Sequence, residues 1–511
     1  MPRRECGSTR SIRATWTPPP GGAPARGVRR PRAEVSDRRR LHRDLTAPSP
    51  ADRAGETPRY PLRRAGYRAV VIVDRLRARS WRYDRQDRGG ARMRMSRRVD
   101  RDGGRRSLLR TVIGLAAAAA LCTGLTACVT APAASDASPT PTGQGRTPGS
   151  SMDPELVTAL EAALDESFGA TQLPGILVGL WIPGHGEWVA SRGTANLETG
   201  EPMKAGNQQK IGSITKSIVT SVALQIIGEG TSGIALEDTI DRWYPEFPEA
   251  SRITVRMLMN MSSGIGPPGM EQIERICADP QASPDPERVI AIGAATPRTG
   301  FAPGEGFSYS GFNTFILGRI LERQTGDDLA GLIQARIIEP FGMNRSRFAP
   351  DGQVEAPSTH GYSLFCPGMP QPTDTIEWSN AESWAAGGMV STLDDMHAWG
   401  RALGSGAGIA PDLLRARYAA APGSETDGLG YGLGVMVHRD VATRCILALG
   451  HTGAEPGYGT NVTYFTGTDA VFVAFANGDG GTGEEIFQVT QALRPLFPST
   501  VSEVPTQTCS E

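Results

Sequence analysis

The segment KIGSITKSIV, residues 210–219, sets Ser213 three residues ahead of Lys216. The whole chain holds only three lysines, Lys204, Lys210 and Lys216, so the pairing is not a product of abundance. Glu201 precedes Lys204 and Asn207 precedes Lys210 at the same spacing, leaving Lys216 as the lysine with a serine partner. Residues three apart on a helix share a face. A serine at a helix N-terminus also lies beside unpaired backbone N–H groups and the positive end of the helix dipole. Those are the needs of a nucleophile whose attack creates an oxyanion. A lysine one turn on can take the serine proton when burial keeps it neutral. Read alone, the stretch fits equally a capping serine followed by a solvated lysine. The chain has no G-x-S-x-G elbow, the other common setting for a serine nucleophile.

Two further stretches carry groups of the right chemistry. FSYSGFNTFILGRILERQTG puts Tyr309 in a loop after Pro303-Gly304 and just ahead of an amphipathic helical pattern. LALGHTGAEPGYGTN ends an apolar strand pattern in His451-Thr452-Gly453. By themselves, Tyr309 fits a packing aromatic and His451 a strand-end residue.

The elements that must position these groups begin near Met152. PELVTALEAALDESF has helical spacing, and LPGILVGLWIP and EWVASRGTAN read as strands joined by a Pro-Gly-His-Gly turn. Residues 210–227 read as a helix with Ile214, Ile218, Val222 and Ile226 forming a core-facing stripe, ended by the glycines of GEGTSG. Helical patterns and Pro/Gly-rich loops fill residues 236–420. GYGLGVMVHRD, CILALGHTG, TNVTYFTG and AVFVAFANG then read as successive strands, and EEIFQVTQALRPLF as a closing helix. This order predicts an α+β domain over residues 153–500, with a sheet built from both chain ends and a helical insertion between them. Residues 501–511 form a short tail.

The near-neutral net charge of −1 hides two unlike halves: residues 1–128 hold 31 Lys+Arg against 11 Asp+Glu, and the remainder 22 against 43. Residues 1–92 are rich in Arg, Pro and Gly without apolar periodicity, which predicts a disordered extension or sequence upstream of the true start. The basic residues form no aromatic-interleaved or helical stripe, so a nucleic-acid-binding arm is not expected. Residues 93–128 read as an export signal: a basic region containing the twin-arginine-like RRSLL, an apolar run from Leu108 too short to span a bilayer, then Leu125-Thr126-Ala127-Cys128. That tetrapeptide resembles the bacterial lipobox, with Cys128 as the lipidation site. A polar linker over 129–152 follows it. The expectation is a domain anchored by lipid to the outer face of the cell membrane, or secreted. Cys277, Cys366, Cys445 and Cys509 would there favour disulfides, with three pairings open. The six histidines are scattered, with no metal-ligand spacing.

In joint order, IGSITKS, FSYSGFN and GHTG resemble the active-site elements of the penicillin-recognising serine enzymes: class C β-lactamases, DD-peptidases and related esterases. The resemblance covers about residues 153–497. ITVRMLMNMSSGI, SWAAGGMVST and GYGLG bring it nearest to the secreted Streptomyces-type D-alanyl-D-alanine carboxypeptidases. It implies a β-lactamase-like fold, an antiparallel sheet flanked by helices, with an all-helical subdomain beside the active-site groove. It makes Ser213 the acylated nucleophile and gives proton transfer to Lys216 and Tyr309 together. The backbone N–H groups of Ser213 and Ala454 become the oxyanion hole. His451, in place of the more common lysine, supplies positive charge and a hydrogen bond near the tyrosine. Thr452 and Gly453 contact substrate, and Trp384 lines the cleft. A Cys445–Cys509 disulfide is implied as well, leaving Cys277 and Cys366 as the other pair. The chemistry calls for no metal or organic cofactor.

Two positions depart from that pattern. The family commonly has Asn as third residue of the tyrosine triplet, binding an acyl-side amide. Here the triplet is Tyr309-Ser310-Gly311, with Asn313 two residues on. The arginine by which the carboxypeptidase grips a terminal carboxylate is replaced by Met436, and Arg439 is the nearest candidate substitute. The resulting expectation is a serine hydrolase acting on peptidoglycan stem peptide or another small acyl or peptide substrate. The alternatives are an esterase, a D-amino-acid amidase, a β-lactamase, or a penicillin-binding sensor that does not turn over.

Overall fold

The computed structural model describes residues 152–366, 368–479 and 485–497, which belong to one compact unit. The extension, the export segment with Cys128, all but Met152 of the linker, and the tail with Cys509 lie outside the described residues. Helix α1 (Pro154–Gly169) starts at Asp153, whose carboxylate accepts the Glu155 N–H, with proline at the first helical position. The hairpin β1 (Gly175–Ile182) and β2 (Gly186–Asn196) follows, and β3 (Glu201–Pro202) pairs with its outer edge. At the other end of the chain come β4 (Leu429–Tyr431), β5 (Met436–Arg439), β6 (Ile446–Glu455), β7 (Tyr458–Phe465) and β8 (Ala470–Ala476). All eight strands form one antiparallel sheet in the order β3-β2-β1-β8-β7-β6-β5-β4. The expected joining of both chain ends is the β1–β8 pair, in register from Ile176 opposite Ala476 to Trp181 opposite Val471.

Strands β1 and β8 are buried on both faces. Ile176, Val178 and Leu180 pack with Phe472, Leu160 and Leu164 toward α1 and the closing helix at Glu485–Leu493. Leu177, Trp181, Val471 and Val473 face the larger core, where they meet three helices: α2 (Ile214–Glu229), α3 (Gly311–Thr325) and α4 (Leu393–Ser405). The period of two along each strand produces this division. Helix α2 differs from the stripe expected of it. Thr215, Lys216, Ser217, Val219, Thr220 and Ser221 are buried as fully as Ile214, Ile218 and Val222, because the helix is enclosed between the sheet and the other helices. Nor is the insertion purely helical. Gln209–Lys210, Met389–Ser391 and Arg347–Phe348 make a three-stranded sheet, and Tyr362–Ser363 pairs with Thr373–Asp374. Cys277 and Cys366 are disulfide-bonded, with a Cα–Cα separation of 5.5 Å. Cys445 is described and its expected partner Cys509 is not.

Candidate active site

Ser213 precedes α2 with helical dihedrals (φ −63°, ψ −4°), and its hydroxyl caps no backbone N–H. Instead Ser213 Oγ accepts a hydrogen bond from Lys216 Nζ at 2.8 Å. Lys216 is only 4 % exposed, and its Nζ also donates to the carbonyl oxygen of Ala386 at 2.7 Å. The short helix Trp384–Gly387 supplies that carbonyl. The other two lysines have structural surroundings. Lys204 forms a surface ion pair with Glu201, and buried Lys210 donates to the carbonyls of Thr375 and Trp378.

Two glycines bring the serine against the sheet. Gly212 has φ +52°, and a Cβ there would lie 2.7 Å from the nitrogen of Ala454. A Cβ on Gly453 would lie 2.0 Å from the Ile211 carbonyl oxygen and 3.2 Å from the Ser213 nitrogen. The backbone at 212–213 therefore lies directly against the backbone at 453–454, in an approach that side chains would block. The backbone nitrogens of Ser213 and Ala454 both lie at this contact. Strand β6 does not end at Gly453, as its pattern suggested. It runs on to Glu455, and His451 lies opposite Val462 in the ladder.

Tyr309, 37 % exposed, sits just before α3, and its ring centroid is 5.1 Å from Lys216 Nζ and 6.2 Å from the His451 ring. His451 is buried, with Nδ1 at 2.5 Å from the Thr452 carbonyl oxygen and Nε2 at 3.0 Å from the Tyr431 hydroxyl. The carbonyl can only accept, which puts the ring proton on Nδ1 and makes Nε2 the acceptor from Tyr431. Burial, and then the nearby positive charge of Lys216, push the imidazole down to about 3. The ring is neutral at neutral pH, so the positive charge expected of His451 is absent. Desolvation outweighs any benefit of a second cation here.

The four groups Ser213, Lys216, Tyr309 and His451 thus converge. Trp384 does not line the groove. Its ring packs against Phe315 and Phe348 within the core. Asn313 is fully buried, taking a hydrogen bond from Ser263 and donating to the Ser310 carbonyl, so it does not substitute for the missing triplet asparagine. Arg439 is no substitute for the missing arginine either. It is 8 % exposed and donates to the carbonyls of Tyr418 and Arg444. Met436 and Thr452 line one recess with Leu429, Thr463 and Phe487. Two contributors escaped the sequence reading: Tyr431 and Ala386. Tyr431 stands in the GYGLG motif, where residue type alone marks no role for it. Ala386 acts through its backbone, which no sequence pattern marks.

The arrangement suits acyl transfer: a hydroxyl bonded to a buried amine, two backbone nitrogens beside it, and a phenol ring whose centre lies 5.1 Å from the amine. Comparison with known proteins agrees. The chain is 27 % identical over 315 residues to a D-aminopeptidase of Brucella anthropi, covering 61 % of this chain and 58 % of that protein. It is 28 % identical over 322 residues to the esterase EstB of Burkholderia gladioli, covering 55 % of this chain and 79 % of the esterase. The chain thus spans little more than half the length of that D-aminopeptidase. The D-amino acid amidase of Ochrobactrum anthropi shares the fold, with a TM-score of 0.57 at 23 % identity over 67 % of this chain and 99 % of the amidase. These relatives bear the names of aminopeptidase, esterase and amidase, and do not bear out the particular nearness to a D-alanyl-D-alanine carboxypeptidase. The family model described as Beta-lactamase matches residues 157–493, and the chain belongs to this family of serine hydrolases.

Proposed function

We propose that the protein hydrolyses small amides and esters of D-amino acids through an acyl-enzyme on Ser213. The observation that carries this reading is the 2.8 Å bond from Lys216 Nζ to Ser213 Oγ, made in a buried setting beside the backbone contact that holds the nitrogens of Ser213 and Ala454. Ser213 Oγ attacks the acyl carbon, and its proton leaves along the Lys216–Tyr309 pair. The two N–H groups stabilise the oxyanion. The same pair returns the proton to the departing amine or alcohol, and water then cleaves the ester on Ser213. His451, neutral, holds Tyr431 by a hydrogen bond and packs beside Tyr309. The names of the relatives support the D-configured substrate. Arg439, turned into the protein, argues against a substrate held by its C-terminal carboxylate. The lipobox-like sequence at Cys128 supports an exported, lipid-anchored protein, and the Cys277–Cys366 disulfide fits an oxidising compartment.

The test compares D- and L-alanine p-nitroanilides with a D-Ala-D-Ala peptide, and follows a fluorophosphonate adduct by intact mass. D-selective anilide turnover is expected, with a one-adduct mass gain that Ser213→Ala abolishes. No adduct on the wild-type protein would sink the acyl-enzyme reading. Faster release from the D-Ala-D-Ala peptide would return the assignment to a carboxypeptidase.

A further inference from the structure

Glu455 is a charged group that the mechanism above leaves unused. It follows Ala454 at the end of β6, and its side chain lies on the same face of the strand as Gly453, the face against which Ser213 packs. Its carboxylate reaches the Trp384–Gly387 turn, whose Ala386 carbonyl anchors Lys216. Ser383 Oγ donates to Oε2 at 3.1 Å, and Oε1 lies 2.1 Å from where a Gly387 Cβ would stand. A side chain at 387 would fill the place the carboxylate takes. Glu455 is partly exposed, as is Ser383. Burial pushes its acid up to about 7, against the opposing pull of the Ser383 hydrogen bond and of Lys210 and Lys216. With one hydroxyl bonded to it, this carboxylate keeps acceptor positions open beside the acyl-transfer centre, where an ammonium group would be a charge-assisted partner. Direction along β6 tells which part of a substrate meets it. His451 and the neighbouring Tyr309 mark the side where a leaving group takes its proton, Ala454 holds the oxyanion, and Glu455 lies beyond Ala454 on the acyl side. Gly311 presents no side chain there to hold an acylated nitrogen.

We propose that Glu455 is the anionic contact for a free ammonium group on the acyl half of the substrate, selecting unblocked D-aminoacyl compounds over N-acylated ones. This rests on the hydrolase reading of Ser213 and deepens it. The test measures kcat/KM for the p-nitrophenyl ester of D-alanine and for its N-acetyl counterpart, in wild type, Glu455→Gln and Glu455→Asp. Wild type should prefer the free amine, and the preference should weaken as pH is lowered through about 7, where Glu455 takes up its proton. Glu455→Gln, which keeps shape and can keep the Ser383 contact, should lower the free-amine to N-acetyl ratio by about 10- to 100-fold, the worth of one charge-assisted hydrogen bond. Glu455→Asp should retain part of it. A ratio unchanged in Glu455→Gln, or a pH-independent ratio, overturns the proposal, because a merely structural carboxylate would affect both esters alike. Wild-type enzyme that turns over esters but prefers the N-acetyl form refutes this inference alone. Enzyme inert toward both esters refutes the hydrolase reading and this inference with it.

Discussion

Replacing Gly453 by alanine tests the contact that creates the oxyanion site. The new methyl would start 2.0 Å from the Ile211 carbonyl oxygen and 3.2 Å from the Ser213 nitrogen, both backbone atoms with no rotamer to escape through. Restoring ordinary contact parts the two backbones by about 1 Å or more. Oxyanion donors act only within a few tenths of an ångström of hydrogen-bond distance, so the two N–H groups could no longer serve one oxygen. Loss of a single such donor costs about 10²- to 10³-fold in rate, or ~3–4 kcal/mol of transition-state stabilisation. Overpacking adds about 1–3 kcal/mol of lost stability. A control separates the two effects. A Cβ on Gly450, in the same strand, would lie 2.2 Å from the Val462 carbonyl oxygen, an equally hard clash directed at β7 and away from Ser213. Stopped-flow measurement of the p-nitrophenol burst, per mole of folded protein, gives the acylation rate of each variant. Gly453→Ala should lose at least about a hundredfold in acylation, and Gly450→Ala far less at comparable loss of stability. Acylation by Gly453→Ala within about threefold of wild type would refute the reasoning, since that is below the ~10²-fold of one oxyanion donor. Equal losses in the two variants would refute it too.

Two other expectations concern the supporting structure. The His451 imidazole, held down to about 3, should show no NMR titration between about pH 5 and 8. Its folded value is depressed below the ordinary 6.5, so its contribution to stability is complete above 6.5 and is lost as pH falls toward 3. A titration midpoint near 6 would contradict the buried neutral ring. The Cys277–Cys366 bridge closes a sequence separation of 89 residues, so the double variant Cys277→Ser/Cys366→Ser should lose up to about 4.6 kcal/mol in urea unfolding. An unchanged midpoint would show that the bridge constrains little of the unfolded chain.

The sequence by itself carried the pattern that local rules govern. Short runs bounded by turn residues marked β1, β2 and the strands near the C-terminus, glycines closed the helix after Ser213, and the three-residue step put Ser213 and Lys216 on one face. Lysine scarcity made that pair conspicuous, and the joint order of three short motifs pointed to the family. Other properties depended on what packs against what. The α2 stripe looked one-sided because periodicity reports a helix's own surface, and only the enclosing helices and sheet bury Lys216 and Ser217 along with Ile218. Arg439 looked free to reach a substrate until the tertiary structure turned it toward two carbonyls. His451 looked like a source of charge because its type is basic, and desolvation by surrounding protein made it neutral. Glu455 carried no sequence mark, since its meaning comes from a glycine 68 positions earlier that leaves it room. Residue type and spacing set which groups are available and on which face of their own element. Distance to a partner on a distant element, and the removal of water around it, fix protonation and role, and those arise only when the chain has folded.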